Sequence, residues 1–223
     1  MGAPMQYLLG LDIGTTSTIG VLIDDKGNIA ALDSQPAELH CDHANWSEED
    51  PEQWWRNCGE ICQALLRKSG VSPDLIKGVG VSGMVPAVVL VDENGHALRR
   101  SIQQNDARAT SQLDYFRERM SETEFLALAG CGYSQQLVGP KLRWLRENEP
   151  AIFDRAKHVM GASDFITLRL CGQAQVEHNW PLEAGFLSIS TGQYDEKLVG
   201  LAGISRNLLP PVRESHEVVG AVT

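Results

Sequence analysis

The sequence predicts an α/β fold built on a mixed sheet, with the order β-β-β-α-β and helices on both faces. Three observations lead there. The apolar run Leu8, Leu9, Leu11 ends in the polar turn Asp12-Ile13-Gly14-Thr15-Thr16-Ser17, and a β-prone segment, Thr18 to Ile23, follows at once. Two strands joined by so short a turn make a hairpin. An amphipathic segment from Pro51 to about Lys68 reads as one helix, and two β-rich runs, Ile76 to Val81 and Val85 to Val91, come after it.

The elements justify themselves in order. Asp24-Asp25-Lys26-Gly27-Asn28 is a turn, and a third antiparallel strand begins at Ile29. Asp50 is a good N-cap, Pro51 a good first helical residue, and Gln53 stands where a capping box would place it. Trp54, Trp55, Cys58, Ile61, Cys62, Leu65 and Leu66 fill one stripe of the helix, and Gly70 closes it. Residues 109–130 read as helical with a break near Ser121. Further helices are predicted over Gly139–Asn148, from Pro150 to Ala156, over Asp164–Leu170 behind a Ser163 cap, and more briefly over Pro181–Phe186 and Glu196–Leu201. Residues 204–223, with Pro210-Pro211, read as an extended connector.

A length of 223 residues holds one large domain or two small ones. Hydrophobic content of 43% and charged content of 22% are those of a soluble globular protein. The net charge of -10 argues against nucleic acid and anionic membranes as partners. No apolar run is long enough to span a bilayer, and the first residues lack a basic region and an apolar core, so cytoplasm is the expected location. Five cysteines, an odd number, do not make a disulfide framework in a chain of this size, and their spacing matches no zinc pattern.

The chemistry concentrates in the first hairpin turn. Gly14 permits a positive φ and leaves room for a ligand near the backbone. Successive N–H groups in such a turn form an anion-binding concavity, to which Thr15, Thr16 and Ser17 add hydroxyls. Asp12, at the end of the strand, is a hard oxygen ligand suited to Mg²⁺ beside phosphate oxygens. No Gly-Lys-Ser/Thr follows and no helix begins here, so this is neither a P-loop nor a dinucleotide fingerprint. The plainer alternative is an ordinary hairpin with a hydroxyl-rich turn.

The motif D-I-G-T-T-S between two strands resembles the first phosphate loop of the actin-like ATPase superfamily, with its ribonuclease-H-like half. From Trp46-Ser47-Glu48-Glu49-Asp50-Pro51-Glu52-Gln53-Trp54-Trp55 onward the chain resembles the FGGY carbohydrate kinases, most closely their xylulokinase-like branch. The resemblance continues through Gln104-Asn105-Asp106-Ala107-Arg108, Pro140-Lys141-Leu142-Arg143-Trp144-Leu145, Ser163 to Gly172, and Glu183-Ala184-Gly185. These motifs lie in the family's order across nearly the whole chain.

The resemblance implies transfer of the γ-phosphoryl group of ATP, with Mg²⁺, to a hydroxyl of a sugar or polyol, most readily a ketopentose such as xylulose. Asp12 would act at the magnesium and γ-phosphate, and Gly14, Thr15 and Thr16 would line the phosphate loop. Asn105 and Asp106 match a sugar-contacting motif, with Arg108 orienting Asp106. Met84, Val85 and Pro86 stand where xylulokinases carry Gln-Met-His, so apolar groups replace polar ones. Gln104 stands where tryptophan is usual, and Gln136 aligns with a tyrosine that contacts glycerol in glycerol kinases.

The family places its catalytic base in a Gly-Gly-Gly-Asp stretch of a second domain, with the adenine-binding motifs beyond. This chain contains no Gly-Gly pair and reaches Thr223 about where that stretch would begin. The expectation is therefore the sugar-binding half of a longer kinase, with residues 204–223 leading towards the other half. Little activity is expected of it alone, and the apolar face meant for the second domain invites self-association as a homodimer. A non-catalytic sugar-binding or regulatory module derived from such a kinase is the alternative.

Overall fold

The structure is a computed structural model and describes residues 5–223. Strands β1 (Tyr7–Ile13), β2 (Ser17–Asp24) and β3 (Ile29–Pro36) form an antiparallel meander. A two-residue strand β4 (Glu48–Glu49) and helix α1 (Pro51–Ser69) lead to β5 (Ile76–Gly83), which returns parallel to β1. The sheet order is β3-β2-β1-β5, a mixed sheet as the sequence predicts. The chain then forms β6 (Val89–Val91), β7 (Ser101–Ile102), α2 (Thr110–Arg119), α3 (Glu122–Ala129), α4 (Val138–Asn148), α5 (Pro150–Phe153), β8 (His158–Met160) and α6 (Ala162–Cys171).

Strand alternation decides what the sheet covers. Leu9, Leu11, Ile13 and Leu22 are buried, while Leu8, Gly10 and Asp12 point the other way. The covered face meets α1 through Trp54, Cys58, Ile61 and Leu65, all buried. Gly20 lets that helix approach, since a Cβ there would lie 2.2 Å from Ile61 Cγ2. Helix α6 packs on β5 and β1 and also touches α1, so both helices lie on the same face. The expectation of helices on both faces is corrected accordingly. On the opposite face Leu8 is 49% exposed, Ile19 38% and Leu32 55%.

Local signals set most boundaries. Asp50 accepts from the Glu52 N–H at 3.0 Å, and Gly70 takes a left-handed conformation at the C-cap of α1. The capping box does not form, because Gln53 Oε1 accepts the Glu38 N–H at 2.9 Å instead. Ser121 caps α3, which accounts for the break in residues 109–130. Helix α6 starts at Ala162 rather than behind Ser163. There Asp164 reaches back to the Gly161 N–H at 3.0 Å and also accepts the Glu177 N–H at 2.8 Å. Of the run Val85 to Val91 only Val89–Val91 is strand, and the Val85–Pro86 peptide ahead of it is cis.

Residues 204–223 are not extended throughout. Arg206–Leu208 forms a 3₁₀ turn, Leu208 and Leu209 are buried, and Val212–Arg213 pairs parallel with Val176–Glu177. Burial of the two leucines supplies the reason, at about 1.5–3 kcal/mol for each side chain fully removed from water. No helix among the described residues is long and apolar enough to cross a membrane.

Candidate functional site

Asp12 ends β1 on the open face of the sheet, with its side chain exposed. The parallel register sets Ser82 of β5 beside it, and the Ser82 hydroxyl donates to Asp12 Oδ1. Asp12 and Ser82 sit over a shallow depression of about 390 Å³ floored by Gly10, Gly80, Ile19 and Val21. The next turn closes through the Gly14 N–H, which donates to the Ser17 carbonyl at 3.0 Å. Gly14 does not use the positive φ that glycine permits. Glycine suits the position because a Cβ would lie 3.1 Å from the Ser17 carbonyl oxygen. Its N–H is spent on the turn, so donors for an anion come from Thr15, Thr16 and Ser17, of which the two threonines are exposed.

These residues fit a hydrated divalent cation bound mainly through phosphate. Asp12 offers one exposed carboxylate, and Mg²⁺ keeps several waters and takes few protein ligands. No group of three or more His, Cys, Asp or Glu side chains placed to hold a metal occurs among the described residues. The site therefore suits a metal carried in with a nucleotide rather than an all-protein cage.

The second component adjoins the first. Because β1 and β5 end side by side, the Met84 N–H donates to the Ile13 carbonyl at 2.9 Å. Met84 and Val85 are half-buried against the core, whereas Pro86 is buried. Pro86 thus packs the turn and offers no surface to a ligand, a correction to its expected part in binding. Its neighbour Ala87 is held by the Trp180 indole, which donates to the Ala87 carbonyl at 2.8 Å.

The third component is the turn Gln103-Gln104-Asn105-Asp106, closed by the Asp106 N–H donating to the Gln103 carbonyl at 3.2 Å. Asn105 is exposed at its tip and Gln104 is half-exposed. Asp106 is not available at all. It is 0% exposed, and its carboxylate accepts the Ser47 N–H at 2.6 Å, the Arg108 N–H at 3.0 Å, Arg108 Nε at 2.9 Å and Arg108 Nη2 at 2.8 Å. The expected sugar contact by Asp106 gives way to an anchoring role, because every favourable acceptor direction is taken. Arg108 does orient Asp106, as the sequence suggests. Its side chain is wholly buried, also bridges to Glu48 at 2.7 Å, and stacks 3.7 Å from the Trp46 ring centroid and 5.0 Å from that of Trp144. Gln136 is exposed in the turn before α4.

Four residues around this turn escaped the sequence reading. Glu48 and Glu49 look like a solvated acidic run, yet both are buried. Arg99 joins Glu48 and reaches Glu149 at 2.9 Å. Glu49 accepts the Trp54 indole N–H at 2.8 Å, and burial pushes its carboxyl up to about 7. Lys141 is fully buried and donates to the Gln103 carbonyl at 2.7 Å and the Gln104 carbonyl at 3.2 Å. Burial lowers its ammonium to about 8, against a partial opposing pull from Asp106. A signal for Lys141 existed, since it sits among Val138, Leu142 and Leu145 on the buried stripe of α4. Glu48 carried none, because its partner Arg99 lies 51 residues away in sequence.

A larger groove of about 640 Å³ runs between β5, α6 and residues 213–222 and shares Gly80 and Val81 with the depression under Asp12.

Residues 7–223 match the sequence model described as FGGY family of carbohydrate kinases, N-terminal domain. The xylulose kinase of Bacillus subtilis (strain 168) is 28% identical over 218 residues, 98% of this chain but 44% of that protein. A solved structure of xylulose kinase from Rhodospirillum rubrum superposes with a TM-score of 0.92 at 40% identity, covering 98% of this chain and 45% of that one. Plasmodium falciparum glycerol kinase, solved with ADP, superposes with a TM-score of 0.91 at 21% identity over 98% of this chain and 45% of its own, a likeness of fold. The chain spans less than half the length of these relatives.

Proposed function

The chain belongs to the FGGY family of carbohydrate kinases, and from that premise we propose that it is the sugar-binding half of an enzyme that passes the γ-phosphoryl group of ATP to a hydroxyl of a sugar or polyol. The foremost substrate is a ketopentose such as xylulose. The observation that carries this reading is the exposed Asp12 carboxylate, set beside a hydroxyl-rich turn within a chain that matches the family from residue 7 to residue 223. The relatives reported above are kinases by name, which favours this reading over a non-catalytic module.

Phosphoryl transfer asks for in-line positioning and for neutralisation of phosphate charge. Bound with the nucleotide, Mg²⁺ would supply that neutralisation, and Asp12 is the residue to hold it. Thr15, Thr16 and Ser17 donate to phosphate oxygens. Asn105 both donates and accepts, which suits a polyhydroxylated ligand. Met84 and Val85 give one wall an apolar character and so favour a sugar with no hydroxyl pointing there, because each unmatched polar group costs about 1–3 kcal/mol. Gln136 belongs to the same sugar-facing set. The general base and the adenine site lie in the other half of the enzyme. General-base catalysis contributes typically ~10²–10⁴-fold, so this half alone has little or no kinase activity.

Thermal denaturation with ketopentoses, aldopentoses, pentitols, glycerol and gluconate tests the substrate assignment. A ligand at 100 times its dissociation constant adds ~2.7 kcal/mol. That is a rise of several degrees for a chain of this size. A response to xylulose that is lost in Asn105→Ala supports the reading. A response to gluconate or glycerol and not to ketopentoses overturns the substrate, and ATP-dependent phosphorylation by the 223-residue chain overturns its incompleteness.

A further inference from the structure

We propose that Lys141 is a positioning residue for the substrate: its buried ammonium holds the Gln103–Asp106 turn in the shape that presents Gln104 and Asn105. This rests on the reading that the turn faces the sugar.

Lys141 is an unusual lysine. It is 0% exposed, on a helix stripe otherwise filled by Val138, Leu142 and Leu145. Among the described residues no carboxylate lies within ion-pair distance of its Nζ, and its two hydrogen bonds go to the successive carbonyls of Gln103 and Gln104. Burying a charge without a counter-ion is unfavourable, so apolar packing alone would be served better by leucine or methionine at this position. What lysine adds is a pair of donors that converge on one end of the turn.

The other end is fixed independently. Ser47 clamps the turn with both of its backbone groups, its carbonyl accepting the Gln103 N–H at 2.9 Å and its N–H donating to Asp106 at 2.6 Å. Arg108, held between two indole rings, grips the Asp106 carboxylate through two nitrogens. The tip carries the only polar side chains of the turn that reach solvent, Gln104 and Asn105. Their carbonyl and amide groups point wherever the turn directs them, and Lys141 sets the peptide planes at Gln103 and Gln104. This arrangement also leaves Ser47 Oγ, Gln103 Oε1 and Arg108 Nη1 buried without a hydrogen-bond partner. A cluster with such orphans stabilises poorly; its gain is a defined geometry.

The test compares Lys141→Met with Leu142→Ala, a neighbouring core truncation on the same helix that leaves both lysine hydrogen bonds in place. Amide hydrogen exchange is read across residues 101–108, and the dissociation constant for xylulose is measured. The expected result is at least tenfold faster exchange over 104–108 in Lys141→Met than in Leu142→Ala, and at least tenfold weaker sugar binding in the first variant only. Equal exchange of the turn in both variants overturns the holding role, whatever the sugar does. A loosened turn with unchanged sugar affinity overturns the positioning role and removes this turn from the sugar site. Should Lys141→Met not fold, Lys141→Gln, which keeps a single donor group, replaces it with the same two readouts.

Discussion

The anchoring role of Asp106 leads to a sharp stability prediction. Asp106→Asn keeps the size of the side chain but removes its charge and one of its acceptor oxygens. In the native chain that carboxylate is wholly buried and accepts four hydrogen bonds, three of them from Arg108. The substitution leaves the Arg108 guanidinium buried with Glu48 as its remaining carboxylate, and Arg99 already shares that partner. Breaking a buried ion pair by removing one member costs about 3–5 kcal/mol, since the other charge stays uncompensated. For a chain of 150–250 residues each kcal/mol corresponds to roughly 2–4 °C, so the melting temperature falls by about 6–20 °C. Urea unfolding measures the free energy directly. The double variant Asp106→Asn/Arg108→Met should cost less than the sum of the two single variants, because it removes both charges together. A single-variant cost below about 1 kcal/mol, or strict additivity in the cycle, refutes the anchor and returns Asp106 to the list of sugar contacts.

Other outcomes follow from the same geometry. Gly20→Ala places a Cβ 2.2 Å from Ile61 Cγ2 and so overpacks the contact between sheet and α1, costing about 1–3 kcal/mol by urea unfolding. Asp12→Ala removes an exposed carboxylate, so unfolding stability stays within about 0.5 kcal/mol, while under the proposed function Mg²⁺-dependent ATP binding, measured by calorimetry on the longer enzyme proposed above, is lost. Burial raises the Asp164 carboxyl from its ordinary 3.8 to about 7, so between those values the native state binds more protons than the unfolded state. Its contribution to stability is present below pH 4 and is lost as pH rises towards 7, and Asp164→Asn flattens that part of the stability profile in denaturant titrations.

The sequence determined the parts of this protein that depend on neighbours along the chain. The hairpin follows from two β-prone runs joined by the short turn Asp12–Ser17, the long helix from Asp50, Pro51 and its apolar stripe, and the break at Ser121 from one capping hydroxyl. The motif order from Asp12 to Gly185 was enough to mark the family. Tertiary structure decided what those residues are available to do. Asp106 and Pro86 carry motif positions but are buried, because Arg108, Ser47 and the core close over them. Ser82 joins Asp12 only through the parallel register of β1 and β5, a pairing across seventy residues. Glu48 looks like a solvated charge until Arg99 and Arg108 fold against it, and the place of Lys141 on the apolar stripe of α4 signals its burial but not its two carbonyl partners. Burial and the pairing of distant charges are sums over the whole fold, and no local pattern encodes them.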